Sequence, residues 1–283
     1  MSSPVWRAAA WMVGALLSFM AMAIAGRELA KAGLSTFQIL LFRSVIGLLV
    51  IGALVLHTGP SLLRTRRLGE HVWRNLAHFG GQFGWFFAIA AMPLAEVFAI
   101  EFTIPIWTAL LAALFLGERL TRPRVLALVL GLAGVLLVLR PGPAILQPAA
   151  LAALAGAIAY ATSYLFTKRL AGTEAPLAIL FYMTVVQLPL GLVGALPRWQ
   201  GVHLADAPWL VLVGVTALTA HYCLTRALRL AEMSVVLPID FLRLPLVALL
   251  GYLLYGETVG LLALAGALLI VAANVINLRA AKA

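Results

Sequence analysis

Runs of about twenty apolar residues, parted by short clusters of charged and turn-forming residues, recur along the whole chain, and a helix of that length crosses roughly 30 Å of hydrocarbon. Breaking the sequence at those clusters predicts ten spans, over 7–26, 35–56, 72–91, 93–116, 123–140, 149–168, 176–196, 208–228, 233–255 and 258–277. Unpaired backbone groups cannot face lipid, so the spans must be helices. The first run, Ala8 to Ile24, leads into Gly26-Arg27-Glu28 with no small-residue cleavage site ahead of a soluble domain, and is read as a span rather than a signal peptide. The connections are too short to hold another domain, the longest in the first half running only from His57 to His71.

Composition agrees with the pattern. Of 283 residues 64% are hydrophobic and 11% charged, against about half and a quarter in soluble domains. The formal charge of +10 lies in short tracts between apolar runs, as in a bilayer protein, and does not point to nucleic acid. The single cysteine, Cys223, sits in an apolar run and reads as a packed thiol.

Basic residues are retained on the cytoplasmic side of a membrane. An inside N-terminus puts fourteen of them there, Arg74 included, and leaves Arg27, Lys31, Arg140 and Arg198 on the other side. Both termini are therefore expected in the cytoplasm. Arg43 and Arg243 fall inside spans.

The chain also repeats itself. Span four ends in Phe115-Leu116-Gly117-Glu118-Arg119 and span nine in Leu254-Tyr255-Gly256-Glu257-Thr258, an offset of 139 that also carries Glu101 onto Asp240. An offset of 142 carries Gly14 onto Gly156 and Arg27 onto Arg169. Five spans per copy is an odd number, so the second copy enters the membrane from the opposite face. The expected fold class is an all-α integral membrane protein of ten transmembrane helices in two inverted five-helix repeats, residues 1–142 and 143–283. Inverted repeats are a device of secondary transporters, because exchanging the conformations of two similar halves turns an inward-open site outward.

The stretch Pro93-Leu-Ala-Glu-Val-Phe-Ala through Pro105 to Gly117-Glu118-Arg119-Leu120, with its counterpart from Ala231-Glu-Met-Ser-Val-Val to Gly256-Glu257, resembles the drug/metabolite transporter superfamily, EamA type. Within it the chain is similar to the YddG-like exporters of aromatic and other amino acids. That resemblance covers essentially the whole chain. It implies a basket-like bundle in the bacterial inner membrane, a central cavity lined by spans such as three, four, eight and nine, and export of amino acids or related metabolites. Other metabolites or drugs of the same superfamily are the alternative.

Intramembrane polar residues are costly and so mark candidate sites. Arg43 and Glu101 lie at similar depth in spans two and four and are expected to pair, as a binding or coupling site or as a strut. Asp240 and Arg243 share a face of span nine. His78, Gln82 and Trp85 follow one another at helical spacing and form a polar-aromatic stripe on span three. Trp107, Tyr160, Tyr164 and His221 could supply aromatic walls to the same cavity, though aromatic residues at membrane depth more often serve ordinary packing. Neither a phosphate-binding loop nor a zinc-binding motif is present, so no cofactor or metal is expected and an enzyme is disfavoured. A channel would want a continuous polar stripe along one helix, which the sequence does not make evident. The expected partners are a small-molecule substrate and membrane lipid, and a monomer is compatible with the sequence, which does not fix the oligomeric state.

Overall fold

The computed structural model describes residues 4–116, 121–139, 147–230 and 243–280, and every regular element among them is helical. The helices are α1 (Pro4–Lys31), α2 (Thr36–Thr58), α3 (Leu68–Ala91), α4 (Leu94–Glu101), α5 (Ile104–Leu116), α6 (Arg122–Leu139), α7 (Pro148–Ala171), α8 (Pro176–Ala195), α9 (Ala207–Leu230), α10 (Arg243–Tyr255) and α11 (Leu261–Ala280). Among the described residues, six segments are long and apolar enough to cross a membrane, Thr36–Thr58 and Leu94–Phe115 being two of them. α3 is equally long but carries a file of polar residues.

The helices start and stop for local reasons. Ser35 caps α2, its hydroxyl accepting from the Gln38 N–H at 3.3 Å while Gln38 reaches back to the Ser35 N–H. Gln38 also donates to the Gln200 carbonyl at 2.8 Å, tying the start of α2 to the loop after α8. The expected span 93–116 is two helices, α4 and α5, parted at Phe102-Thr103. Proline causes the break, since Pro105 has no N–H to donate to the Glu101 carbonyl and its ring crowds that oxygen. At the break Thr103 donates to the Ile100 carbonyl at 2.6 Å, and Asn274 of α11 donates to the Phe102 carbonyl at 2.5 Å.

The most extensive helix contacts join α3 to α7, α1 to α9, α6 to α11 and α2 to α8. Each pair runs antiparallel. Gly14 of α1 faces Cys223 while Ser18 meets Thr219, and Gly81 of α3 faces Tyr160 while Gly84 lies against Ala152. In α6, Gly131 approaches Ala273 and Gly134 approaches Ile270; Gly47 of α2 lies against Thr184 and Gly191 of α8 against Leu41. The α3–α7 crossing is closest at Gly84, where a β-carbon would overlap the Ala152 carbonyl oxygen, so only glycine fits.

Large aliphatic and aromatic side chains such as Phe86, Phe98, Ile39 and Ile89 fill the interior, whereas Leu49, Leu56, Leu253, Leu261 and Leu268 point outward. A leucine-rich exterior around a packed interior suits a bundle whose solvent is hydrocarbon. Trp6, Trp73 and Trp199 are exposed near helix ends, where amphipathic rings sit in a bilayer.

Candidate functional site

The Gly-Glu motif that ends α10 has a geometric meaning. Gly256 adopts φ 64°, a left-handed conformation that glycine reaches at no steric cost, and the turn sends Glu257 back towards the bundle. There one carboxylate oxygen pairs with Arg27 of α1, and the other accepts the Leu94 N–H at 2.8 Å. Arg27 in turn donates to the carbonyls of Ile89 and Met92 at the end of α3. A cation thus sits at a helix C-terminus and a carboxylate at a helix N-terminus, both favoured by the helix dipole. Four elements, α1, α3, α4 and the end of α10, are latched at one end of the bundle.

The opposite end is closed by a second set of contacts. Arg67 pairs with Glu70 at 2.8 Å and donates to the Arg169 carbonyl and the Thr173 hydroxyl, while Arg169 reaches Glu70 at 3.5 Å. Glu174 accepts from the Thr65 hydroxyl at 2.7 Å and faces His71 at 3.8 Å.

Between these ends runs the polar face of α3. His71, Arg74, Asn75, His78, Gln82 and Trp85 are all buried, at the three- and four-residue spacing that keeps them on one side of a helix. Arg74 donates to Asn75 at 2.6 Å and to Thr167 of α7 at 3.1 Å. Gln187 of α8 lies 2.9 Å from His78 Nδ1. Arg43 of α2 donates through Nη1 to Gln82 at 2.9 Å and to Gln187 at 3.2 Å. His78 meets the edge of Tyr160 of α7 and of His221 of α9, with ring centroids 5.4 and 5.1 Å apart. Five helices therefore converge on one polar and aromatic cluster. A continuous stripe that the sequence did not make evident runs along α3, packed against hydrogen-bonding neighbours.

A neighbouring layer holds Glu101. The expected Arg43–Glu101 pair does not form: Glu101 Oε1 accepts from Arg243 of α10 at 3.1 Å and Oε2 from the Trp85 indole at 2.8 Å. Glu101 ends α4 immediately before the break at Phe102, which turns it towards α10, whereas Arg43 faces Gln82 and Gln187. Trp85, Glu101, Gly156, Ala157 and Tyr160 border one another in this layer, with no enclosed room for a water molecule between them. Trp107 donates to Thr103 at 3.0 Å and packs with Tyr160 and Tyr164 around Ala157 and Ala161. Asp240, expected beside Arg243, lies outside the described residues, as does the Gly117-Glu118 twin of the latch motif.

The cluster contains residues that the span pattern passed over. Arg74 was assigned to the cytoplasmic flank but is inside the bundle, 4% exposed. Its signal was its spacing, since Arg74 and Asn75 stand four and three residues before His78, on the same face. Gln187 was a lone amide in an otherwise apolar run, which is itself a mark of an interior polar partner.

The EamA-like transporter family model matches the chain twice, over residues 6–140 and 147–279. Among curated proteins, a riboflavin transporter of Vibrio cholerae is 30% identical over 254 residues, covering 88% of this chain and 85% of that one. An S-adenosylmethionine uptake transporter of Rickettsia bellii is 25% identical over 264 residues, covering 93% and 90%. The pseudopaline exporter CntI of Pseudomonas aeruginosa is 29% identical over 264 residues, covering 89% of each chain. A solved crystal structure superposes with a TM-score of 0.68 at 21% identity, covering 99% of both chains, and so shares the fold.

Proposed function

The chain belongs to the EamA-like transporter family, and from that premise we propose that it is a secondary carrier of the bacterial inner membrane that exports amino acids or related small metabolites by alternating access. It is a multi-pass membrane transporter and not an enzyme. The observation that carries the mechanism is the buried polar face of α3, on which Arg43, Gln187, Tyr160 and His221 converge from four other helices between two latched ends. A carrier needs such an enclosed site and a means of opening it to one side at a time.

The helix pairing supports the repeat reading, in which residues 1–142 and 143–283 are inverted copies of five spans with both termini cytoplasmic. With α4 and α5 counted as one span, advancing every span by five turns the α1–α9 pair into the α7–α3 pair and leaves α2–α8 and α6–α11 unchanged. Gly14 and Gly156, equivalent by the offset of 142, both stand at these crossings.

The relatives carry different cargoes by name, and amino acids come from the likeness to YddG-like exporters together with the aromatic surroundings of His78. The stripe along α3 keeps a channel in view as a second reading. Counterflow separates them: vesicles preloaded with unlabelled aromatic amino acids should accumulate labelled amino acid transiently and saturably. Flux that never saturates and shows no counterflow would establish the channel.

A further inference from the structure

We propose that the site on α3 takes substrates through a carboxylate, gripped side-on by Arg43 with Arg74 as the second cation; this rests on the carrier reading above. Both guanidinium groups are buried, Arg43 at 2% and Arg74 at 4% exposed, and all their hydrogen-bond partners among the described residues are neutral. Glu28, Glu70, Glu101, Glu174 and Glu257 are each engaged by other partners, namely Lys31, Arg67, Arg243, Thr65 and Arg27. A buried cation without a counter-charge is costly, and one that persists in a binding layer is matched to an anion that arrives.

Arg43 also shows which atoms do the matching. Its Nη1 is spent on Gln82 and Gln187, while Nε and Nη2 are buried with no hydrogen-bond partner among the described residues. Those two donors form the side edge of the guanidinium, whose parallel N–H bonds fit the two oxygens of one carboxylate. His78 Nε2 and Asn75 Nδ2, likewise unpartnered, lie in the same cluster. The rings of Tyr160 and His221 stand beside His78, with Phe19 5.6 Å from His221, and give the remainder of a flat substrate an aromatic wall.

The test uses the full-length protein in detergent and in proteoliposomes, with probes that share one ring: 3-phenylpropionate, its amide, phenethylamine, L-phenylalanine, L-phenylalaninamide and phenyl phosphate. Both carboxylates should raise the melting temperature, and the amides and the amine should not. Arg43→Gln and Arg74→Gln should each weaken the carboxylate response about tenfold or more, equivalent to about 1.4 kcal/mol per decade. Arg43→Lys keeps the charge without the fork and should weaken it as well. Without ligand, Arg43→Gln should melt at or above the wild-type temperature, because it removes a buried cation that has no counter-charge among the described residues, whereas a structural strut would melt lower.

Equal responses to acid and amide, a wild-type response in Arg43→Lys, or a lower melting point of unliganded Arg43→Gln would overturn the assignment. A stronger response to phenyl phosphate than to the carboxylates would overturn it too. If the amide and the amine exchange in counterflow as well as the acids, the carrier stands and the carboxylate site falls. If acids bind as expected but no probe exchanges, the site stands and the carrier reading falls.

Discussion

Arg27 and Glu257, 230 residues apart in sequence, form an ion pair that joins the end of α3 to the start of α4. The pair is largely buried, with side chains 9% and 15% exposed. Glu257→Ala should therefore lower stability by roughly 3–5 kcal/mol, the cost of stranding one member of a buried pair. Glu257→Gln should cost less, since its amide oxygen still accepts the Leu94 N–H. Thermal unfolding in detergent compares the two, and equal losses would show that the Leu94 contact contributes nothing.

In the proposed repeat, Glu118 and Arg169 take the positions equivalent to Glu257 and Arg27 and could build a second latch of the same kind. Arg169 is engaged with Glu70 at 3.5 Å. If the two ends alternate, Glu257→Lys should favour the conformation in which Arg169 meets Glu118. Bismaleimide cross-linking of a Glu118→Cys, Arg169→Cys double in a Cys223→Ser background should then rise several-fold, and an unchanged yield would uncouple the two ends.

Glu101 is committed to Arg243 and Trp85. The charge swap that restores stability should be Glu101→Arg with Arg243→Glu, whereas Arg43→Glu with Glu101→Arg should not recover it. Trp85→Phe removes one donor to a carboxylate and should cost about 1.5–3 kcal/mol. Melting temperatures of the two doubles rank the partners directly.

Glycines of the bundle should divide by what surrounds them. Gly84→Ala meets the Ala152 carbonyl and should destabilise by about 1–3 kcal/mol, the usual cost of overpacking. Gly52→Ala has nothing within 4 Å and should stabilise α2 by roughly 0.5–1 kcal/mol. Opposite shifts in melting temperature are expected, and an unchanged or raised melting temperature for Gly84→Ala would reject the close crossing.

Hydrophobic period made the spans legible, because lipid forces helices and sets their length. His78, Gln82 and Trp85 were legible for the same reason, since spacing of three and four fixes a face. The partner of Glu101 was not. Depth along a span says how high a residue sits but nothing of its direction around the helix axis, and the break at Phe102-Thr103 sets that direction for Glu101. Arg74 was misplaced because a charge near a span boundary reads as a flank whenever the boundary is uncertain by a turn. The latch was visible only as a repeated Gly-Glu, because its function depends on the positive φ of Gly256 and on the distant Arg27.

In the proposed carrier, Arg43 and Arg74, buried inside the bundle, would stand within the electric field that drops across an energised membrane. Carrying one elementary charge through that whole field corresponds to about 2.3 kcal/mol per 100 mV. If the protein alternates as proposed, opening the cluster first to one face and then to the other moves the field past both guanidinium groups, so a voltage step should elicit a transient displacement current from the empty protein. A bound carboxylate cancels one of the two charges and would roughly halve the voltage dependence of that step. The electrical state of the cell would then favour one resting orientation of the unloaded protein, with no ion gradient required.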